Sequence, residues 1–186
     1  MRKTNVVVLC LLGLALLLFG CGKEMPTEVN VLEKMDAATL AKNIVKYVPY
    51  RERGTLMPTT DPRADLDVEC EVGEFEIFNR KDGQATHLGT IIGFENSCFN
   101  PSTGEVRVRG VNIGANGDSF SFEALCSFTS PTDFICDLTV TGGTGRFENA
   151  STPPGEPIVV VGTFDPAAFT SVYTSSGRIS SVGSSK

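Results

Sequence analysis

From Phe120 onward the chain alternates apolar and polar residues with a period of two, and this constrains it more than any other feature. Phe120, Phe122, Ala124, Cys126 and Phe128 take one face, while Ser119, Ser121, Glu123, Ser127 and Thr129 take the other, with Leu125 as the exception. Side chains on an extended strand point alternately to opposite faces, so the pattern is that of a strand with one buried face. Ser130-Pro131-Thr132-Asp133 is a turn sequence. Beyond it Phe134, Cys136, Leu138 and Val140 alternate with Asp137, Thr139 and Thr141. The two strands form a hairpin with their apolar faces on one side.

Turn sequences recur upstream. Asn116-Gly117-Asp118, Pro101-Ser102-Thr103-Gly104 and Lys81-Asp82-Gly83 divide the chain into strands Glu105–Ala115, Gln84–Cys98 and Leu66–Phe78. Adding Tyr47–Met57, Ile158–Phe164 and Ser171–Ser180 gives about eight strands in a meander. Closure removes exposed strand edges, so the expected fold is all-β: an eight-stranded antiparallel up-and-down barrel. Within Leu66–Phe78, the residues Leu66, Val68, Cys70 and Val72 share a face, and Phe75 and Ile77 are one step out of phase. This predicts a β-bulge at Gly73. Asp65, Asp67, Glu69 and Glu71 alternate with those apolar residues, close behind Asp61. Oxygen-rich runs suit calcium, but the EF-hand spacing is missing and a solvated strand face is expected.

The N-terminus carries a different signal. Met1-Arg2-Lys3 precedes an uncharged apolar run from Val6 to Phe19. That is the layout of an export signal, and it is shorter than the roughly 20 residues a membrane span needs. The run ends in Leu18-Phe19-Gly20-Cys21. The string resembles the lipobox of bacterial lipoproteins, with an aliphatic residue three before the cysteine and a small one directly before it; Phe19 is larger than usual. The resemblance implies cleavage after Gly20, acylation of Cys21 and attachment to the cell envelope. Gly22, where a retention signal would have Asp, implies the outer membrane if the host has two. The expected organisation is a signal over 1–20, the lipidated Cys21 and a polar tether over 21–35, and a barrel domain over 36–186. That domain opens with a short helix over Ala37–Val45 capped by Asp36.

Of the 16 basic residues two leave with the signal, so 14 face 22 acidic ones and the mature net charge is −8. A negative chain without Trp or a basic cluster is unsuited to nucleic acid; the expected partners are the membrane, through the anchor, and a small apolar ligand. Of the six cysteines, Cys10 lies in the signal and Cys21 is the anchor. The remaining Cys70, Cys98, Cys126 and Cys136 suggest two disulfides in an exported domain. With the hairpin centred on Pro131, Cys126 and Cys136 stand directly opposite each other, within bonding reach. Cys98 falls near the height of Cys126, but with strand Glu105–Ala115 between them they are about 10 Å apart. Cys70 is therefore its partner by elimination, although simple pairing sets Cys70 opposite Ile92 and a bulge near Gly73 has to shift it. Zinc is not expected, because there is no C-x-x-C and His87 is the sole histidine; nor is any other metal or cofactor.

One string stands out, Thr141-Gly142-Gly143-Thr144-Gly145-Arg146-Phe147-Glu148-Asn149-Ala150. Clustered glycines after a strand mean a tight turn or a close backbone approach, and Phe147 is placed to plug one end of the barrel. The strand followed by Gly-Gly-Thr-Gly, a basic residue and Phe resembles the dirigent and allene oxide cyclase β-barrels and small exported bacterial proteins of that type. Ala85-Thr86-His87-Leu88-Gly89 and Ala115-Asn116-Gly117-Asp118 fit the bacterial members. The resemblance covers roughly residues 66 to 180 and implies the same eight-stranded barrel; Thr152-Pro153-Pro154-Gly155 departs from it. The acidic and aromatic residues that carry chemistry in the plant enzymes have no matching motif here.

His87 is the general-base candidate by its intrinsic pKa, but no nucleophile motif accompanies it. A structural or surface role is expected, on strand Gln84–Phe94 beside Gly89 and Gly93. Three functions follow for the domain. The first is a non-enzymatic module that binds a small ligand in the barrel or docks a partner. The second is an isomerase or cyclase of the kind the resemblance implies, which needs acid and base groups converging inside. The third is a filled scaffold at the cell surface. The anchor is tested by metabolic labelling with a radioactive fatty acid: the wild-type protein takes the label and Cys21→Ala loses it.

Overall fold

The computed structural model describes residues 45–61 and 63–180; the expected signal, Cys21, the tether and the helix after Asp36 fall outside them. Eight strands form: β1 (Tyr47–Pro58), β2 (Phe75–Ala85), β3 (Gly89–Phe99), β4 (Glu105–Gly114), β5 (Ser119–Phe128), β6 (Asp133–Thr144), β7 (Ile158–Asp165) and β8 (Thr170–Ser180). Each pairs antiparallel with the next, and β8 returns to β1 with register Tyr47↔Ser180 through Leu56↔Ser171, closing the barrel.

Cross-strand partners share a face, so the registers fix what points inward. Tyr50, Lys81, Ile91, Val108, Phe122, Leu138, Val160 and Tyr173 lie inside and are buried. Arg51, Arg53, Arg80, Arg109, Glu123 and Asp137 alternate with the inward set and are on the outside. A membrane barrel has the reverse polarity. Eight strands leave an interior narrow enough for side chains to fill, and here inward glycines sit beside large neighbours. A Cβ on Gly110 would lie 2.2 Å from the Phe122 ring, one on Gly162 2.3 Å from Phe134, and one on Gly177 2.8 Å from Ile158. Small positions alternating with large ones are how a small barrel packs its taper.

The hairpin of β5 and β6 has the expected register. Cys126 pairs with Cys136, and they form a disulfide on the inward face. Cys70 bonds Cys98, with Cα atoms 5.3 Å apart. The route to that second bond differs from the sequence reading. Leu66–Phe78 is not one strand: Ala64–Leu66 is a 3-10 turn, residues 67–74 are loop and turn, and β2 begins only at Phe75. Gly73, at φ +95°, turns the chain and does not form a strand bulge. The segment from Arg63 to Glu74 is a strap across the outer face of β3 and β4. Asn96 Nδ2 donates to Arg63 O at 3.1 Å, and the Arg63 guanidinium lies over the Phe94 ring. Arg107 Nη2 donates to Glu69 O at 3.3 Å and meets Glu74 Oε2 at 2.6 Å, while Arg109 Nη1 donates to Asp67 O at 3.0 Å. Leu66 is buried beneath the strap, and Cys98 is wholly covered. The acidic residues alternate because a loop held by its carbonyls leaves their side chains exposed.

Strand β2 also runs further than the turn signal Lys81-Asp82-Gly83 implies. Those residues pair with Leu56, Thr55 and Gly54 on one side and with Gly93, Ile92 and Ile91 on the other. The turn falls at Thr86–Leu88, where His87 has φ +70° and Gly89 φ +73°. Inward positions on β3 are therefore Ile91, Gly93 and Glu95; Ile92 and Phe94 face out.

Packing and cross-link each predict a stability change. Gly110→Ala forces its methyl into the Phe122 ring and costs about 1–3 kcal/mol. Replacing Cys126 and Cys136 together by Ala costs roughly 3 kcal/mol, since the bond closes a short loop. Both are read from denaturant midpoints.

Candidate functional site

The two ends of the barrel are built differently. At one end the glycine-rich string after β6 meets the turns that follow β2 and β4. The glycine-rich string ends β6 and enters a 3-10 turn over Gly145–Phe147. Phe147 is fully buried and packs on Phe120 with ring centroids 5.8 Å apart, and Phe120 packs edge-on against Tyr50 at 5.6 Å. Arg146 Nε donates to Asp118 Oδ2 at 2.7 Å, and its Nη2 donates to His87 O at 3.0 Å. The arginine beside Asp118 holds that carboxyl below the usual carboxylate range. A Cβ on Gly145 would lie 2.0 Å from Asp118 Oδ1, and one on Gly143 2.1 Å from Ser119 O. Glycine is thus required at both positions for the latch to close; Gly142, at φ +139°, shapes the turn before it. These residues seal the end.

His87 belongs to that seal. It lies in the exposed turn after β2, where its Nε2 donates to Pro49 O at 3.0 Å. It points at neither the interior nor a nucleophile among the described residues, so the general-base candidacy gains nothing. Cys70, Cys98 and Glu74 bring ligand atoms within 4.8 Å of one another, but both sulfurs are committed to the disulfide and Glu74 to Arg107.

The opposite end is lined by phenylalanine. Phe75, Phe99, Phe128, Phe134 and Phe164 occupy inward register positions on β2, β3, β5, β6 and β7. Phe99, Phe128 and Phe134 form an arc with successive ring centroids 6.3 Å apart, and Phe164 stacks edge-on with Phe169 at 6.2 Å. Unlike Phe120 and Phe147, none of these is fully buried: Phe75 is 60% exposed and Phe128 41%, while Phe99, Phe134 and Phe164 are half-buried.

Between the mouth and the seal lies a polar cluster that the sequence reading did not assign. Glu52 receives the Tyr50 hydroxyl and Asn112 Nδ2, the latter at 2.9 Å, on Oε2. On Oε1 it receives the Tyr173 hydroxyl at 2.5 Å, with Lys81 Nζ at 3.6 Å. Lys81 Nζ also lies 2.7 Å from Glu95 Oε1 and sits over the rings of Phe122 and Tyr173, 4.6 and 5.1 Å from their centroids. Two glycines make the room. A Cβ on Gly54 would meet the Tyr173 hydroxyl at 2.8 Å, and one on Gly93 would meet Asn112 Oδ1 at 2.7 Å. The signal for Glu52 was present in the sequence, because Val48, Tyr50 and Leu56 alternate in phase with it. Lys81 was hidden inside a supposed turn, and Glu95 lies in the strand Gln84–Cys98 without an apolar alternation to mark its face as inward.

Burial alone pulls the Lys81 pKa down, but the charges of Glu95 and Glu52 reverse the effect and hold it above its ordinary 10.5. Burial and the negative charge of Glu52 push both Tyr50 and Tyr173 well above 10.0. The interior therefore keeps an ammonium and two neutral phenols, all aimed at carboxylates. Asn112 Oδ1, fully buried, has no partner among the described residues. No protein-family profile, curated protein or solved structure matches this chain.

The raised pKa values set an alkaline limit. Lys81, Tyr50 and Tyr173 bind protons more tightly folded than unfolded, so their stabilisation is complete below the unfolded values near 10 and is lost as pH rises past them. The unfolding free energy should fall steeply above about pH 10. In an ultraviolet pH titration, phenolate absorbance from Tyr50 and Tyr173 should appear only together with loss of the β circular-dichroism signal.

Proposed function

We propose that this chain is an exported module, anchored to the cell envelope through acylated Cys21, whose barrel binds a small apolar ligand at its phenylalanine-lined end without covalent chemistry. The carrying observation is the contrast between the two ends: one sealed by Phe147 and the Arg146 latch, the other lined by five inward-register phenylalanines, of which Phe75 and Phe128 are exposed and Phe99, Phe134 and Phe164 half-buried. Exposed aromatic rings at the mouth of a barrel are the usual lining of a ligand site, because each offers a large apolar face at little conformational cost. Two disulfides suit the oxidising compartment that export implies.

The isomerase reading draws on the same interior and is supported less. General acid–base catalysis works best with a pKa near the operating pH. Lys81, Tyr50 and Tyr173 are all displaced upward, away from neutrality. The filled scaffold describes the sealed half, where Phe120, Phe147, Ile158 and Ile179 have no solvent access, but not the mouth.

The neutral dye N-phenyl-1-naphthylamine should bind the purified chain saturably with a rise in fluorescence. Phe128→Ser and Phe134→Ser should each weaken it about tenfold, roughly 1.4 kcal/mol and near the lower bound for losing a buried phenyl group. Val172→Ser, on the outer face of β8, should leave binding unchanged. Absence of saturable binding, or equal loss in all three variants, would overturn the reading.

A further inference from the structure

We propose that the phenylalanine-lined end rests on the neutral surface of a lipid bilayer, with Val72, Phe75, Phe128 and Phe169 entering its interface. This builds on the reading that the chain is held at the cell envelope, and it does not require that a ligand occupy the mouth.

The four side chains come from separate segments that antiparallel pairing gathers at one end: the turn into β2, the start of β2, the end of β5, and the turn between β7 and β8. Val72 projects wholly into solvent, and Phe169 is 65% exposed. Apolar exposure concentrated at one end marks a contact surface. The wall above it carries Arg51, Arg53, Arg80, Arg109 and Glu123 on the outside, so the end and not the wall is the part suited to lipid.

The turns at this end are prepared to leave water. Residues 100–104, 129–132 and 166–169 contain no charged side chain. Their backbone donors are largely spent within each turn. Asn100 Oδ1 accepts from Ser102 N and Thr103 N, and Gly104 N donates to Asn100 O. Ser130 Oγ accepts from Thr132 N and Asp133 N, and Thr129 N donates to Asp133 O. Asp165 Oδ1 accepts from Ala167 N and Ala168 N. An unpaired backbone group is costly to move into an apolar phase, and these pairings remove much of that cost.

Charge selects the occupant. Behind the tips lies a ring of exposed carboxylates, Glu71, Glu76, Glu105, Asp133 and Asp165. A second copy meeting this end would set the ring against itself, and like charges brought together across an interface are penalised. Anionic lipid meets the same repulsion, so the surface that fits is neutral. The expected anchor permits the pose. The tether enters at the sealed end, where Tyr47 begins β1 opposite Ser180. Residues 22–46 reach about 85 Å when extended, while β2, with 11 residues, is about 36 Å long even untilted.

The chain contains no Trp, so a single introduced one reports its own surroundings. The full chain, as the cell processes it, is reconstituted in phosphatidylcholine vesicles, some of whose lipid carries a spin label near the head group. Val72→Trp and Phe169→Trp should each shift their emission to the blue and lose most of it to the label. Glu148→Trp, exposed at the sealed end, and Val159→Trp, on the outer wall of β7, should keep theirs. Replacing part of the lipid by phosphatidylglycerol should not deepen the quenching. Equal quenching at all four positions, strong or absent, would overturn the docking, and so would stronger quenching on anionic vesicles. Val72→Trp and Phe169→Trp lie on different turns, so if one fails to fold the other decides. Failure of the anchor shows separately, as a wild-type chain that takes no fatty-acid label. Failure of the ligand reading shows as dye that does not bind without vesicles.

Discussion

The closure of the sheet by its first and last strands is the constraint on which everything else rests. β1 and β8 are separated by more than a hundred residues of chain, yet they pair over ten consecutive positions, from Tyr47↔Ser180 to Leu56↔Ser171. With that seam made, no strand has a free edge, and each strand's alternation becomes a division between inside and outside. The seam also places Glu52 and Tyr173 on neighbouring strands. Without it Glu52, which β1 brings to Lys81 by pairing with β2, would lose the Tyr173 hydroxyl that β8 delivers. A buried carboxylate left short of a donor costs stability, so the seam and the cluster support each other.

Inside the closed ring, volume is matched residue by residue. Glycines stand where a neighbour's ring or branched chain needs the space: Gly110 under Phe122, Gly162 under Phe134, Gly177 under Ile158. The same device opens room for polar groups at Gly54 and Gly93. Glycine and phenylalanine are thus paired in the interior where Gly110 leaves room for Phe122 and Gly162 for Phe134. The glycine-rich string and the two turns that meet it are components of an end seal made by Arg146, Asp118, the His87 carbonyl and Phe147. A seal says that the barrel ends there and leaves the chemistry of its interior unspecified.

How much was legible depended on how local the determining interaction was. The strands from Glu105 to Thr144 and the Cys126–Cys136 bond could be read because turn and register lie within a few residues of one another, and side-chain period does the rest. The region from Arg63 to Ile92 could not. Its acidic and apolar residues alternate as a strand would, but the segment gains its contacts from Arg107, Arg109, Asn96 and Cys98, all far along the chain. Lys81-Asp82-Gly83 has turn chemistry in isolation. It is strand because β1 and β3 flank it on both sides, and the lysine is tolerated inside because Glu52 and Glu95 arrive with them.

The sequence by itself therefore determined the all-β barrel, most of its strands and the hairpin disulfide, since alternation and turn residues act over a few positions at a time. The tertiary structure alone decided which charged residues face inward, by what strap Cys70 reaches Cys98, and which end of the barrel is sealed. Each of those is settled by the meeting of side chains from strands brought together only by closure, and the free energy of a buried ion or an orphaned acceptor depends on that meeting.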